Sequence, residues 1–276
     1  MPRLHDTTPT FETFARKAFL ESPVSRERLW TEQYEAPLSE VFEAFYARSA
    51  DQRGRSALVR ELSDVRTRVS EAAPVVRAAI EEVEPRVRGL LGVADEPAPL
   101  HVLMVGPYST NAIVGALGDD VAVFHCLEWY HPDQATAVLV AHEDAHAWHE
   151  IARGGPGPEK DAAWVAFSEG LAIHAARQAA PDRPDDDYYW YGHGGFETWL
   201  PWCQEHRDDL LERFAADIDG PDAVETWFGS GLVDRHWRVG QFVADLLVGG
   251  LDRPLAELVK LEPAAAQATI RGALGR

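Results

Sequence analysis

Apolar positions in the first hundred residues recur at helical spacing. Phe11, Phe14, Ala15, Ala18 and Phe19 form one stripe, with Thr10 placed to cap its helix. Leu38, Val41, Phe42 and Phe45 form another, with Tyr46 beside it. Stretches 55–69 and 73–91 keep the same period, with Pro74 read as a first-turn proline and Pro85 as a kink. Such stripes predict helix faces turned to a core and carry no chemistry of their own.

The pattern changes at the breaker segment 95–99. Residues 100–105 and 120–126 read as strands, and 111–119 as a short third strand ending in a Gly-Asp turn. Gly106, Gly115 and Gly118 do not follow a phosphate-binding spacing, so turns are their expected use. Helical patterning resumes over 132–153 and stops at the Gly-Gly-Pro-Gly-Pro run 154–158. A second helix is expected over 159–179, followed by an acidic loop, 181–187, and the aromatic stretch Tyr188-Tyr189-Trp190-Tyr191. Further helices are expected over 196–216, 234–248 and 254–276. The sum is a mostly helical α+β protein without internal repeats. An N-terminal helical region, 1–95, precedes a unit, 96–276, whose small sheet (100–126) packs on helix 132–153.

Composition narrows the function. The 276 residues are 46% hydrophobic and 26% charged, which suits a globular core. Lys and Arg number 26 against 45 Asp and Glu, a net charge of −19 that argues against nucleic-acid and anionic-membrane partners. Two cysteines, Cys126 and Cys203, cannot build a disulfide framework or a four-thiolate zinc site, so reduced thiols are expected. The first residues lack the apolar segment of a signal peptide, and no uncharged run is long enough to span a bilayer. A soluble, cytoplasmic protein is the expectation.

One motif carries chemistry. Residues 142–146 read His-Glu-Asp-Ala-His inside a stretch free of Pro and Gly. On a helix, His142 and His146 share a face one turn apart, so both imidazoles reach one Zn²⁺. Glu143 is placed to take a proton from a metal-bound water as it attacks a carbonyl, then to pass it to the leaving amine. The metzincin continuation is absent, because His149 and Ala152 stand where it needs Gly and His. A carboxylate from the next helix is the other option for a third ligand. Glu169 supplies it, set among apolar Val165, Phe167, Leu171, Ala172 and Ile173, where an unpaired carboxylate is costly. The glycine-rich stop lets the second helix return antiparallel and bring Glu169 level with the histidines.

The pair of segments His142-Glu143-Asp144-Ala145-His146 and Ser168-Glu169-Gly170-Leu171-Ala172 resembles the gluzincin metallopeptidases. Within them it is most similar to a bacterial family of predicted zinc-dependent proteases with a domain of unknown function. The glycine-containing strand from Gly115 to Phe124 and the segment Arg238-Val239-Gly240-Gln241-Phe242-Val243 extend the likeness over roughly 100–250. The resemblance implies a sheet whose edge strand lines a cleft, a zinc-bound water and peptide-bond hydrolysis. Related enzymes carry a late Tyr or His that stabilises the oxyanion. Here His236-Trp237-Arg238 stands near Gly240. His236, Arg238, Tyr191 and His193 are each candidates for that role, with His236 assigned as catalytic and Arg238, Tyr191 and His193 as substrate-binding residues.

The remaining polar residues have plainer expectations. His149 and Glu150 support the ligands or face solvent. His174 is not a ligand. Asp144 and Asp161 orient the imidazoles or lie on solvated faces. The aromatic residues Tyr188–Tyr191, Trp199 and Trp202 wall a pocket or pack in the core. The expected function is hydrolysis of a peptide or other amide by a zinc metallopeptidase. Two alternatives stand beside it. One is a zincin-like binding module whose structural zinc is closed by His149 or His193. The other is a metal-dependent amidase acting on a small molecule.

Overall fold

A computed structural model of the chain describes residues 2–49, 54–131 and 135–276. The N-terminal region opens with strand β1 (Arg3–Asp6), then α1 (Thr8–Ala18) and α2 (Pro23–Trp30). A π turn (Thr31–Glu35) and a 3-10 turn (Ala36–Leu38) lead into α3 (Ser39–Arg48), α4 (Arg55–Arg60) and α5 (Leu62–Leu91). The buried residues of α1 and α3 are Phe11, Phe14, Ala15 and Ala18, and Val41, Phe42 and Phe45, as their spacing requires. Thr10 does not cap α1. Thr7 precedes the helix, its hydroxyl donating to Leu103 O, while the Asp6 carboxylate accepts from Thr8 N.

Pro74 and Pro85 both lie inside the single helix α5. Pro74 is therefore not at a first turn, and the chain runs through both prolines without a break. Each interior proline forfeits a helical hydrogen bond. The compensation is a buried stripe along α5, from Leu62 to Leu91, packed on the helices described next.

Strands β2 (Leu100–Met104), β3 (Ala112–Leu117) and β4 (Asp120–Cys126) form a sheet in the order β1-β2-β4-β3. β1 runs parallel to β2, with Arg3 opposite Leu100, and Arg3 makes a two-point ion pair with Asp120. Region 1–95 thus adds a strand to the sheet of region 96–276, and one hydrophobic core runs across that boundary. A 3-10 turn (Leu127–Trp129) follows β4.

The second half is helical: α6 (Thr136–Arg153), α7 (Ala162–Ala179), α8 (Asp187–Trp190), α9 (Trp199–Glu205), α10 (Arg207–Asp217) and α11 (Ala223–Trp227). The expected start of the first of these, at 132–134, lies outside the described residues. α6 ends at Gly154, whose φ of 74° places it in the left-handed region that a helix stop needs. α7 begins later than the pattern implies, because the Asp161 carboxylate caps it by accepting from Trp164 N. The expected helix 196–216 is two helices, broken at His206.

The expected helix 234–248 is also shorter. Its first part is a hairpin of β5 (Leu232–Val233) and β6 (His236–Trp237), with Asp234 and Arg235 at positive φ in the turn. Helix α12 (Gly240–Gly249) follows, then α13 (Leu255–Leu258) and α14 (Pro263–Ala273). The fold is α+β and mostly helical, with α7 packed between α6 and α12. No helix among the described residues is long and apolar enough to cross a membrane.

Candidate metal centre

His142 and His146 lie one turn apart on α6, and Glu169 faces them from α7. Their donor atoms cluster, with one Glu169 oxygen facing each imidazole. His142 Nε2 is 3.1 Å from His146 Nε2 and 3.3 Å from Glu169 Oε2, while His146 Nε2 is 3.6 Å from Glu169 Oε1. Bonds of about 2.0–2.1 Å at tetrahedral angles hold zinc ligands roughly 3.3 Å apart. Two imidazoles and one carboxylate at these separations therefore fit a zinc ion. Among the described residues, this is the group of His, Cys, Asp and Glu side chains able to hold a metal, and it has three members. Three protein ligands leave a fourth position for water.

Neighbouring side chains hold the ligands in place. Gln241 of α12 donates through Nε2 to Glu169 Oε2 at 2.7 Å. The Ser168 hydroxyl lies 3.1 Å from His146 Nδ1. Neither Asp144 nor Asp161 does this work. Asp161 caps α7 and pairs with Arg271. Asp144 is fully buried on the sheet side of α6, 3.4 Å from His101 Nε2. His101 Nδ1 in turn meets His125 Nε2 at 3.1 Å, and His125 Nδ1 meets the Tyr130 hydroxyl at 2.9 Å. This buried polar chain ties the back of the motif to β2 and β4.

The cluster opens into a cleft of about 340 Å³, lined by Glu143, Glu150, Ser168 and Arg238 besides the three candidate ligands. Ala112, Ile113 and Val114 of β3 form one wall. A larger groove, about 490 Å³, lies between α5 and the start of α6, and among the described residues its charged lining is Glu82 and Arg183. The donor geometry, not size, marks the site.

Electrostatics agree with a cation-binding position. Burial opposes a charged Glu169, yet His146 and His142 overcome it and hold the carboxyl well below the usual range. Burial likewise opposes a charged His146, while Glu169 and then Glu143 raise it. A centre that stabilises positive charge against desolvation suits a divalent ion.

The other candidate residues divide. The Tyr191 ring lies edge-on to His142 at 5.5 Å, and Tyr191 and Arg238 both adopt positive φ, 54° and 55°. Left-handed backbone at bulky residues is costly and tends to be kept where a site needs it. Burial raises the Tyr191 phenol, and the neighbouring Arg238 acts in the opposite sense. His193 follows on the same loop; burial and nearby His131 and Arg238 lower its imidazole, and it is not among the cleft-lining residues. His236 is not among them either. Its ring stacks on Trp202 at 3.7 Å and its Nδ1 lies 2.9 Å from Asp234 O. His149 is not a surface residue. It is buried, stacked on Trp164 at 5.1 Å. His174 pairs with Asp245, and both cysteines are buried free thiols.

Sequence reasoning missed Gln241 and Ser168 as positioning residues. Ser168 had a readable signal, standing immediately before Glu169. Gln241 had none beyond its place after Gly240. Compared with protein-family models, curated proteins and solved structures, the chain matches none of them.

Proposed function

We propose that this chain is a zinc-dependent hydrolase of peptide or other amide bonds, of gluzincin type. The observation that carries the reading is the donor cluster: His142 Nε2 lies 3.1 Å from His146 Nε2, the two Glu169 oxygens lie 3.3 and 3.6 Å from one imidazole nitrogen each, and the group opens to the cleft. His142, His146 and Glu169 would hold the ion. Bound there, zinc supplies a Lewis acid and lowers the pKa of a coordinated water. Glu143 lines the same cleft and takes the proton of the attacking water, then delivers it to the leaving nitrogen. Arg238, one of the four residues the sequence offers for the oxyanion role, lines the cleft and would stabilise that charge. The ligand group has three members among the described residues, which favours this reading over a closed structural zinc with four protein ligands.

The test compares zinc-loaded wild type with Glu143→Gln on fluorescent casein and on a mixed peptide library. Turnover falls about 10²–10⁴-fold in the variant, the usual worth of a general base, and bound zinc stays the same. Equal turnover in both proteins overturns the assignment of Glu143.

A further inference from the structure

The cleft follows α6 from His142 to its C-terminal end, with His142, His146, Glu150 and Arg153 lining it at about one-turn spacing. Its sheet-side wall is β3, the last strand in the order β1-β2-β4-β3. An edge strand offers unpaired backbone groups on which an extended chain can lie. In this protein the edge is occupied. Arg48, the last residue of α3, donates from Nε to Val114 O at 2.9 Å. Its Nη2 reaches the opposite wall and donates to Glu159 Oε1 at 2.5 Å. The side chain therefore crosses from β3 to the segment before α7.

The strand is shaped to receive it. Gly115 sits inside β3, where glycine weakens a strand. A Cβ at that position would lie 2.7 Å from Arg48 Cγ and 3.3 Å from Cδ. The missing side chain is the space in which the arginine stem lies. Glu159 follows the end of α6 at Arg153 by six residues and lines the cleft with Glu150 and Arg153, so the crossing falls at the Glu150 end. The pair is 31% and 50% exposed, so solvent screens it and it can be displaced.

We infer that Arg48 and Glu159 form a bar across the Glu150 end of the cleft that sets how long an extended substrate the site admits. The inference rests on the hydrolase reading above and names its selectivity. A short peptide occupies the cleft between the metal cluster and the bar. A longer one gains the β3 edge only by displacing Arg48 from Val114 and from Glu159.

The test uses two peptide hydroxamates, of two and of six residues, made in both chain directions. Binding to zinc-loaded protein is read by tryptophan fluorescence. Wild type binds the two-residue probe at least ten-fold tighter than the six-residue probe in one direction. Arg48→Ala and Glu159→Gln erase most of that ratio. Gly115→Ala does the same by pushing the stem aside while keeping the arginine charge. An equal ratio in all four proteins overturns the inference.

A second arm needs no metal. Amide exchange over 112–117 in zinc-free protein speeds at least three-fold in Arg48→Ala and Gly115→Ala, with α14 unchanged as the folding control. If no probe binds any form, the hydrolase reading fails and the exchange result alone decides the bar. Unchanged exchange over 112–117 then overturns it.

Discussion

Gln241 donates its side-chain amide to Glu169 Oε2 at 2.7 Å across the contact between α12 and α7. Gln241 is itself buried, so this bond is shielded from water. It fixes the carboxylate with one oxygen toward His142 and the other toward His146. A partner that orients a ligand is typically worth 10–100-fold in metal affinity. Gln241→Leu keeps the volume approximately and removes the donor. Zinc affinity, read by competition with a chelator, falls by about 10–100-fold while the circular dichroism spectrum holds. Unchanged affinity would show that Glu169 is positioned without this bond.

The residue after Glu169 makes the approach of the two helices possible. A Cβ on Gly170 would lie 2.4 Å from Ala244 O and 2.4 Å from Val248 Cγ2. Gly170→Ala therefore pushes α12 away, and overpacking of this kind costs about 1–3 kcal/mol. Gly89, in α5, has nothing within 4 Å of its would-be Cβ. Gly89→Ala should gain roughly 0.5–1 kcal/mol from helix propensity. Urea denaturation of both variants reads the two signs. A Gly170→Ala protein as stable as wild type contradicts the close approach.

Much of this arrangement is legible in the sequence, for identifiable reasons. α6 declares itself through an unbroken helical stretch with a glycine stop, and Glu169 through its apolar neighbours. Local pattern is enough in both cases. β1 is not legible, because Arg-Leu-His-Asp has no apolar alternation and its pairing partner, Leu100–Leu103, is far along the chain. The β5–β6 hairpin is missed because strands of two residues have no period to read. That error misplaces His236, whose direction depends on left-handed Asp234 and Arg235. Asp144 looks like a solvated acid until β2 supplies His101 against it.

Glu128 offers a test through pH. It is fully buried, and its two oxygens accept from Gly106 N and Tyr108 N. Burial pushes its carboxyl from 4.5 up to about 7, with the Gly106 and Tyr108 N–H groups lowering it only in part. The folded protein therefore holds a proton that the unfolded chain has released. Its contribution to stability is fullest below the unfolded value and declines as pH rises toward 7. Over that window the decline is on the order of 3 kcal/mol. Thermal or urea unfolding from pH 4.5 to 7.5 shows it as the difference in slope between wild type and Glu128→Gln. Parallel curves for the two proteins contradict a raised Glu128.

The most direct measurement is the zinc content and affinity of the purified chain, wild type against Glu169→Ala and His142→Ala. The donor cluster predicts one zinc per wild-type chain after reconstitution and dialysis. Each variant loses the ion or binds it far more weakly, because two ligands hold zinc much less firmly than three. Wild-type protein that takes up no zinc under those conditions, or variants that bind it as tightly as wild type, would contradict the site.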